Sequence, residues 1–184
     1  MHGRGRRLGI ALRLGALAAV LVLGSLSLWL YGQGWSILHR RGVPFLGKVV
    51  PVARGWFLWT DLKSDPPDIL FFLPPEVVLL SGRSRAVMTF GHNPVPHETS
   101  EQAVRGMAKA LNMAELAGER DSGPYRVDST DGESWCYTSS YLSGRFEDIE
   151  CSLFDAAWTA EYTGPRSHAK DFFRVIAGIQ DVKK

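Results

Sequence analysis

The chain has 184 residues, 45% hydrophobic and 11% aromatic, which excludes a disordered protein and allows one domain with a sizeable core. Its net charge of +2 conceals a division: eight basic residues lie between Met1 and Arg54 without a single acid, while the other 13 share the rest of the chain with all 19 acids. Such a basic head on an acidic body points to a membrane or polyanion at the head and argues against nucleic-acid binding by the body, which lacks a basic face.

From Leu14 to Tyr31 the sequence LGALAAVLVLGSLSLWLY carries no charge, and the charge-free window runs on to Leu38. About 20 helical residues rising ~1.5 Å each cross the ~30 Å hydrocarbon layer, so the stretch is long enough to span it. Inside lipid it has to be helical, because no water is present to satisfy its backbone. Trp29, Tyr31 and Trp35 fall at its far end, where amphipathic rings favour the headgroup layer. Ser25-Leu26-Ser27 and Gly32-Gln33-Gly34 fit a small-x-small cleavage site only loosely, so an uncleaved anchor is favoured over a signal peptide. A lipid-modified N-terminal cysteine is excluded, since no cysteine precedes Cys136. Arg4, Arg6, Arg7 and Arg13 draw the N-terminus to the cytoplasm, but Arg40, Arg41 and Lys48 pull the other way, so charge alone does not set the orientation.

Residues 39–60, HRRGVPFLGKVVPVARGWFLWT, mix Arg40, Arg41, Lys48 and Arg54 with Phe45, Val49, Val50, Trp56, Phe57 and Trp59, and Pro44 and Pro51 prevent a long helix. Two readings stand. Trp35, Arg40, Arg41, Lys48, Arg54, Trp56 and Trp59 form a membrane-proximal or partner-binding surface, as tryptophan and basic residues together suit headgroups; or the segment supplies one or two strands whose aromatics enter the core. Asp61–Asp68 is a proline-bearing break, followed by short apolar runs at Ile69–Leu73 and Glu76–Leu80, a turn at Ser81–Ser84, and a strand ending at Phe90 in which Ala86, Met88 and Phe90 alternate. A helix then starts on the Thr99/Gln102 capping-box pair, with Val104, Met107, Ala108 and Leu111 on one face and Asn112 as a stop. Strands follow at Tyr125–Thr130 and Glu133–Leu142 around Asp131-Gly132, then at Phe146–Phe154 and Ala157–Thr163. A last helix from about Pro165 to Gln180 puts Phe172, Ile176 and Ile179 on one face.

The only two cysteines, Cys136 and Cys151, lie in the strands flanking Ser143-Gly144. A turn centred there, of two residues or four, sets Cys136 opposite Cys151 at a separation a disulfide spans. Such a bond implies an oxidising compartment, hence an N-terminus in the cytoplasm and a C-terminal domain in the periplasm or outside the cell. Buried free thiols in a cytosolic sheet are the alternative. There is no C-x-x-C motif for thiol exchange.

Residues with chemical potential are few. His92, His97, Glu98 and Glu101 gather metal-ligating types, but the His-Glu-x-x-His pattern is missing and acids at a helix start complement its dipole. No G-x-S-x-G elbow, phosphate loop or dinucleotide fingerprint occurs, Asp128–Glu133 does not fit a calcium-loop frame, and Ser167-His168-Ala169-Lys170 reads as a serine N-cap on the last helix. Trp135, Tyr137 and Tyr141 alternate on the face opposite Cys136 and form either a ligand surface or the core.

These features predict an α+β protein: an N-terminal transmembrane helix, then a mostly antiparallel sheet of about six strands with two packed helices. The expected divisions are a basic cytoplasmic tail (1–13), anchor and interface (14–38), a membrane-proximal basic and aromatic segment (39–60) and an extracytoplasmic domain (61–184). The functional expectation is a non-catalytic binding or accessory protein near the membrane, with the lipid bilayer and a protein as partners and neither nucleic acid nor a cofactor. The alternative is a membrane-anchored hydrolase or metal-dependent enzyme using His92, His97 and Glu101.

Overall fold

A 36-residue helix, α1 (Gly3–Leu38), opens the chain. The computed structural model describes residues 3–59, 69–74, 86–93, 99–113, 120–129 and 132–182. Within α1, Arg13–Leu38 is long and apolar enough to cross a membrane, judged by length and composition, and its most apolar stretch is not buried by the rest of the chain. The Ser27 hydroxyl donates to the carbonyls of Leu23 and Gly24, both at 2.9 Å, the way a hydroxyl on an exposed helix is satisfied without water. Gly42 then turns the chain sharply: its φ is +87°, and a Cβ there would stand 2.7 Å from the Val50 carbonyl oxygen.

Among the described residues ten strands and two further helices follow: β1 (Val43–Phe45), β2 (Lys48–Val50), β3 (Phe57–Leu58), β4 (Ile69–Leu73), β5 (Val87–His92), α2 (Ser100–Met113), β6 (Arg120–Arg126), β7 (Trp135–Tyr141), β8 (Phe146–Leu153), β9 (Trp158–Pro165), α3 (Arg166–Ala177) and β10 (Gln180–Asp181). Seven form one antiparallel sheet in the order β3-β4-β5-β9-β8-β7-β6, and β1-β2-β10 form a small second one. The fold is therefore α+β. The expected six strands undercount it, because β1, β2, β3 and β10 are only two or three residues long and show no period.

Helices pack on both faces of the sheet. On the inner face, Leu70, Phe72, Met88, Phe90, Ile149, Leu153, Ala160 and Tyr162 pack with Phe172, Val175 and Ile176 of α3, and Val43, Phe45, Val50 and Trp56 join the same core. That core crosses the boundary expected at residue 60. On the outer face, α2 lays Val104 and Ala108 on Tyr137, with Trp135 beside them. The predicted cap of α2 is present and reciprocal: the Thr99 amide donates to Gln102 Oε1 and the Gln102 amide to Thr99 Oγ1, each at 3.3 Å.

Several boundaries differ from expectation; the last helix, for one, ends at Ala177 and Gln180 belongs to β10. The strand placed at Tyr125–Thr130 is β6, which starts at Arg120 and stops at Arg126. Its pairing with β7 shifts between Ser122 and Tyr125, where Gly123-Pro124 interrupts the ladder, and those two residues disguise the strand in sequence. The last helix begins with Pro165 as N-cap and no side-chain cap, so Ser167 lies inside the first turn. β9 runs straight into α3, leaving no loop in which a serine cap is required. Glu76–Leu80, the Ser81–Ser84 turn, the Asp61–Asp68 break and Asp131 lie outside the described residues.

Candidate functional site at the junction of helix and domain

α1 does not end in a linker. Its last two turns are built into the domain, where Gly32 and Ser36 are buried and Trp35 packs against the core. The Ser36 hydroxyl donates to the Gln33 carbonyl at 3.0 Å and accepts the Gly55 amide at 3.2 Å, so the one polar group at the contact is satisfied from both sides. Five residues earlier, the Tyr31 ring stands edge-on to Phe57 of β3 with centroids 5.4 Å apart. Trp35 stacks on His39 at 3.9 Å, and His39 Nδ1 bonds the Trp35 carbonyl at 2.9 Å, closing the helix end.

The membrane-proximal residues expected from sequence separate into three groups. Trp56 is a core residue, 2% exposed, with its indole N–H donating to Asp171 Oδ2 of α3 at 3.4 Å and its ring edge-on to His168. This burial removes it from any headgroup-facing surface. Lys48 is tied down: its ammonium pairs with Asp181 at 3.0 Å and lies 4.5 Å from the centre of the Phe154 ring. Arg40, Arg41, Arg54 and, most of all, Trp59 at 70% are exposed. Trp59 stands beside Phe57, and its amide donates to the Phe71 carbonyl at 2.8 Å.

The aromatic row on β7 resolves as core more than as ligand surface. Tyr137 is buried and Trp135 half-buried beneath α2, while Tyr141 stacks on Phe146 at 5.7 Å. An open aromatic face requires both helices on the other side of the sheet, and they lie on opposite sides. Beyond α2 the outer face of β8 and β9 carries Asp148, Glu150 and Glu161, with Glu150 directly opposite Glu161 in the ladder and Thr89 donating to Glu161 Oε2 at 3.3 Å.

Burial, and then the Glu161 and Asp148 charges, raise the Glu150 carboxyl above its ordinary value of 4.5. The folded chain therefore holds that proton more tightly than the unfolded chain, and stability declines as pH rises through the raised value. Glu150→Gln is expected to stabilise the domain at neutral pH by roughly 0.5 kcal/mol, the scale of a like-charged cross-strand pair screened by solvent. The gain should vanish at about pH 3, well below the ordinary value, where the wild-type carboxyl is protonated in both states. Thermal unfolding of the two proteins at both pH values checks this.

His92 ends β5, exposed, in register with Trp158, and Glu101 in the first turn of α2 accepts from Arg105 Nε at 2.9 Å. A metal would have to displace that arginine. His97 and Glu98 lie outside the described residues, and among the described residues no three His, Cys, Asp or Glu side chains gather to hold a metal ion.

Sequence reasoning missed Ser36 and Gly55 as parts of the junction, and Ile69 and Phe71 as the exposed residues of β4. Ser36 reads as one more small residue in an apolar window, and in ILFFL the apolar residues are consecutive, so the alternation that leaves Ile69 and Phe71 on the exposed side is invisible. Their only signal is position, between a polar break and a proline pair.

Fold and junction together define an α+β domain fused directly to a helix of membrane-spanning length. No family model matches the sequence, and no curated protein matches it. Among solved structures, the chain is similar to the solution structure of cyanobacterial PsbP (CyanoP) from Synechocystis sp. PCC 6803, at 14% identity and a TM-score of 0.43, over 74% of this chain and 87% of that one. A resemblance of that degree concerns the course of the chain and says nothing of activity or partners.

Proposed function

We propose that the protein is a single-pass, membrane-anchored, non-catalytic accessory protein whose domain stands outside the cytoplasm and binds a protein partner at the membrane surface. The observation that carries this reading is the fusion of α1 to the domain through Ser36–Gly55 and Tyr31–Phe57. A tethered enzyme that meets soluble substrate gains from a flexible linker, whereas a helix continuous with its domain fixes height and orientation, which is what presentation to a membrane-bound partner requires. The cross-strand Cys136–Cys151 pair supports an oxidising compartment. The basic residues before the span support a cytoplasmic N-terminus.

The test has two arms. A reporter fused after Lys184 that works only outside the cytoplasm should be active, and the full chain extracted in mild detergent should migrate in an assembly larger than itself. A silent reporter removes the topology; a lone monomer in gently solubilised native membranes removes the accessory role.

A further inference from the structure

We infer that the outer face of the sheet around β8 and β9 is the docking surface for a protein partner that presents lysine or arginine side chains, received by Glu150, Glu161 and Asp148. This rests on the accessory reading above and adds to it the place of binding and the chemistry of the partner. The register builds the surface. Along β8 the outward positions are Asp148, Glu150 and Ser152, which face Thr163, Glu161 and Thr159 of β9. Glu161 in turn faces Thr89 of β5. Helix α2 packs on the β7 side of this face, over Tyr137 and Trp135, and Glu161 and Thr163 are exposed beyond it.

Two independent observations mark the face as incomplete in the single chain. Side chains directly opposed in an antiparallel pair stand about 5 Å apart, and like charges there are destabilising. Glu150 and Glu161 form such a pair, yet β4, β5, β8 and β9 contain no lysine or arginine to separate them. Glu161 is met by the Thr89 hydroxyl at 3.3 Å and by no cation among the described residues. The second observation concerns hydrogen bonds. Among the described residues, the buried side-chain polar atoms without a partner are Trp135 Nε1, Asp148 Oδ1 and Ser152 Oγ. All three belong to this face. Trp135 stands opposite Ser152 in the ladder, and Asp148 and Ser152, the latter 0% exposed, bracket Glu150 along its own strand. Folded chains satisfy such groups almost everywhere, so their concentration here points to hydrogen-bonding groups supplied from outside the chain.

Charge identifies the occupant. A lysine ammonium and an arginine guanidinium are donors only, so either can bond Glu150 and Glu161 together and turn their repulsion into attraction, and a neighbouring donor meets Asp148 Oδ1. The row that runs from Glu150 through Glu161 and Thr89 ends on Phe71, 40% exposed, on which the methylene stem of such a side chain packs. A divalent cation fits less well: calcium takes about six to eight oxygens, and no three His, Cys, Asp or Glu side chains gather to hold a metal among the described residues. An anionic bilayer carries the sign of the face itself and is repelled. Complementary charge of this kind sets which partner docks and in what register.

The test replaces one carboxylate by a cation and follows two readouts with opposite expected signs. Glu161→Lys sets an ammonium opposite Glu150, so the urea midpoint of the full chain in mild detergent should rise. In gently solubilised native membranes the same variant should lower the fraction of chain found in the larger assembly about tenfold. Raising salt from about 0.1 M to about 1 M should dissolve the wild-type assembly, since screening then acts within a few ångströms. Asp128→Lys makes the same charge change at an exposed position beyond the end of β6 and should leave the assembly intact. Two differently tagged copies made in the same cells report whether the partner is a second copy.

A wild-type assembly that survives both Glu161→Lys and high salt overturns the docking surface and leaves the accessory reading standing. A wild-type chain that migrates alone overturns both. Loss of the assembly together with a lowered urea midpoint makes Glu161 a folding residue and overturns the inference, as does equal loss in Asp128→Lys. Co-purification of the two tags overturns the separate partner in favour of self-association, and an assembly that chelator dissolves and calcium restores overturns the basic side chain in favour of a bridging metal.

Discussion

Trp56→Ala is expected to lower the stability of the folded domain by about 3–5 kcal/mol, whereas Trp59→Ala, three residues on, should change it by no more than about 0.5 kcal/mol. Both tryptophans sit in the same basic, aromatic stretch, and composition does not tell them apart. Their surroundings do. Trp56 is among the largest fully buried side chains, wedged between the segment that follows β2 and helix α3. Truncation removes its packing, leaves a cavity that the rigid sheet beneath cannot close, and takes one donor from Asp171, which keeps Arg174 at 3.4 Å. Trp59 is mostly exposed and its one backbone bond does not depend on its side chain. Urea unfolding of the full chain in mild detergent, followed by near-ultraviolet circular dichroism, separates the two. An unchanged midpoint for Trp56→Ala would place that residue outside the core and return it to the membrane-proximal surface.

Much of the β7–β9 meander is legible in the sequence because its strands are long and half-buried. Alternation along β8 and β9 survives local noise, and the Ser143-Gly144 centre sets the register that puts Tyr141 against Phe146 and Cys136 against Cys151. The α2 start is legible for a similar reason, since a capping box is a local bond between residues three apart. What cannot be read locally is pairing at a distance. β2 pairs with β10, bringing Lys48 to Asp181 across nearly the whole chain, and neither strand is long enough to show a period.

The junction was hidden for a different reason. Trp56, Phe57 and Leu58 are all buried in succession because different elements cover them: Trp56 lies against α3, while Phe57 lies against the end of α1. Alternation reports one covered face. Where both faces are covered, as also at Cys136 and Tyr137, an uninterrupted aromatic run reads like an interfacial belt, and only the packing partners tell a buried ring from a wet one.

Reduction of the Cys136–Cys151 bond is expected to destabilise the domain by about 3 kcal/mol without changing its fold, the effect of releasing a closure of about 15 residues in the unfolded chain. The fold should persist because the β7–β8 ladder holds seven residue pairs with or without the bond, and because both cysteines are buried and behave as small apolar groups once reduced. The double variant Cys136→Ser, Cys151→Ser should fall below the reduced wild type, since it adds two hydroxyls to an apolar core around Ile149 and Leu153. The expected order of urea midpoints is thus oxidised, then reduced, then the serine variant, measured on the full chain in the same detergent. The same thiols report the compartment. If the domain stands outside the cytoplasm, protein acid-trapped from cells and denatured should be alkylated at neither cysteine unless a reductant is added first. Free thiols trapped in cells, together with equal stability of the oxidised and reduced protein, would leave the bond without a role and the extracytoplasmic placement resting on charge alone, where four arginines before the span face Arg40, Arg41 and Lys48 after it.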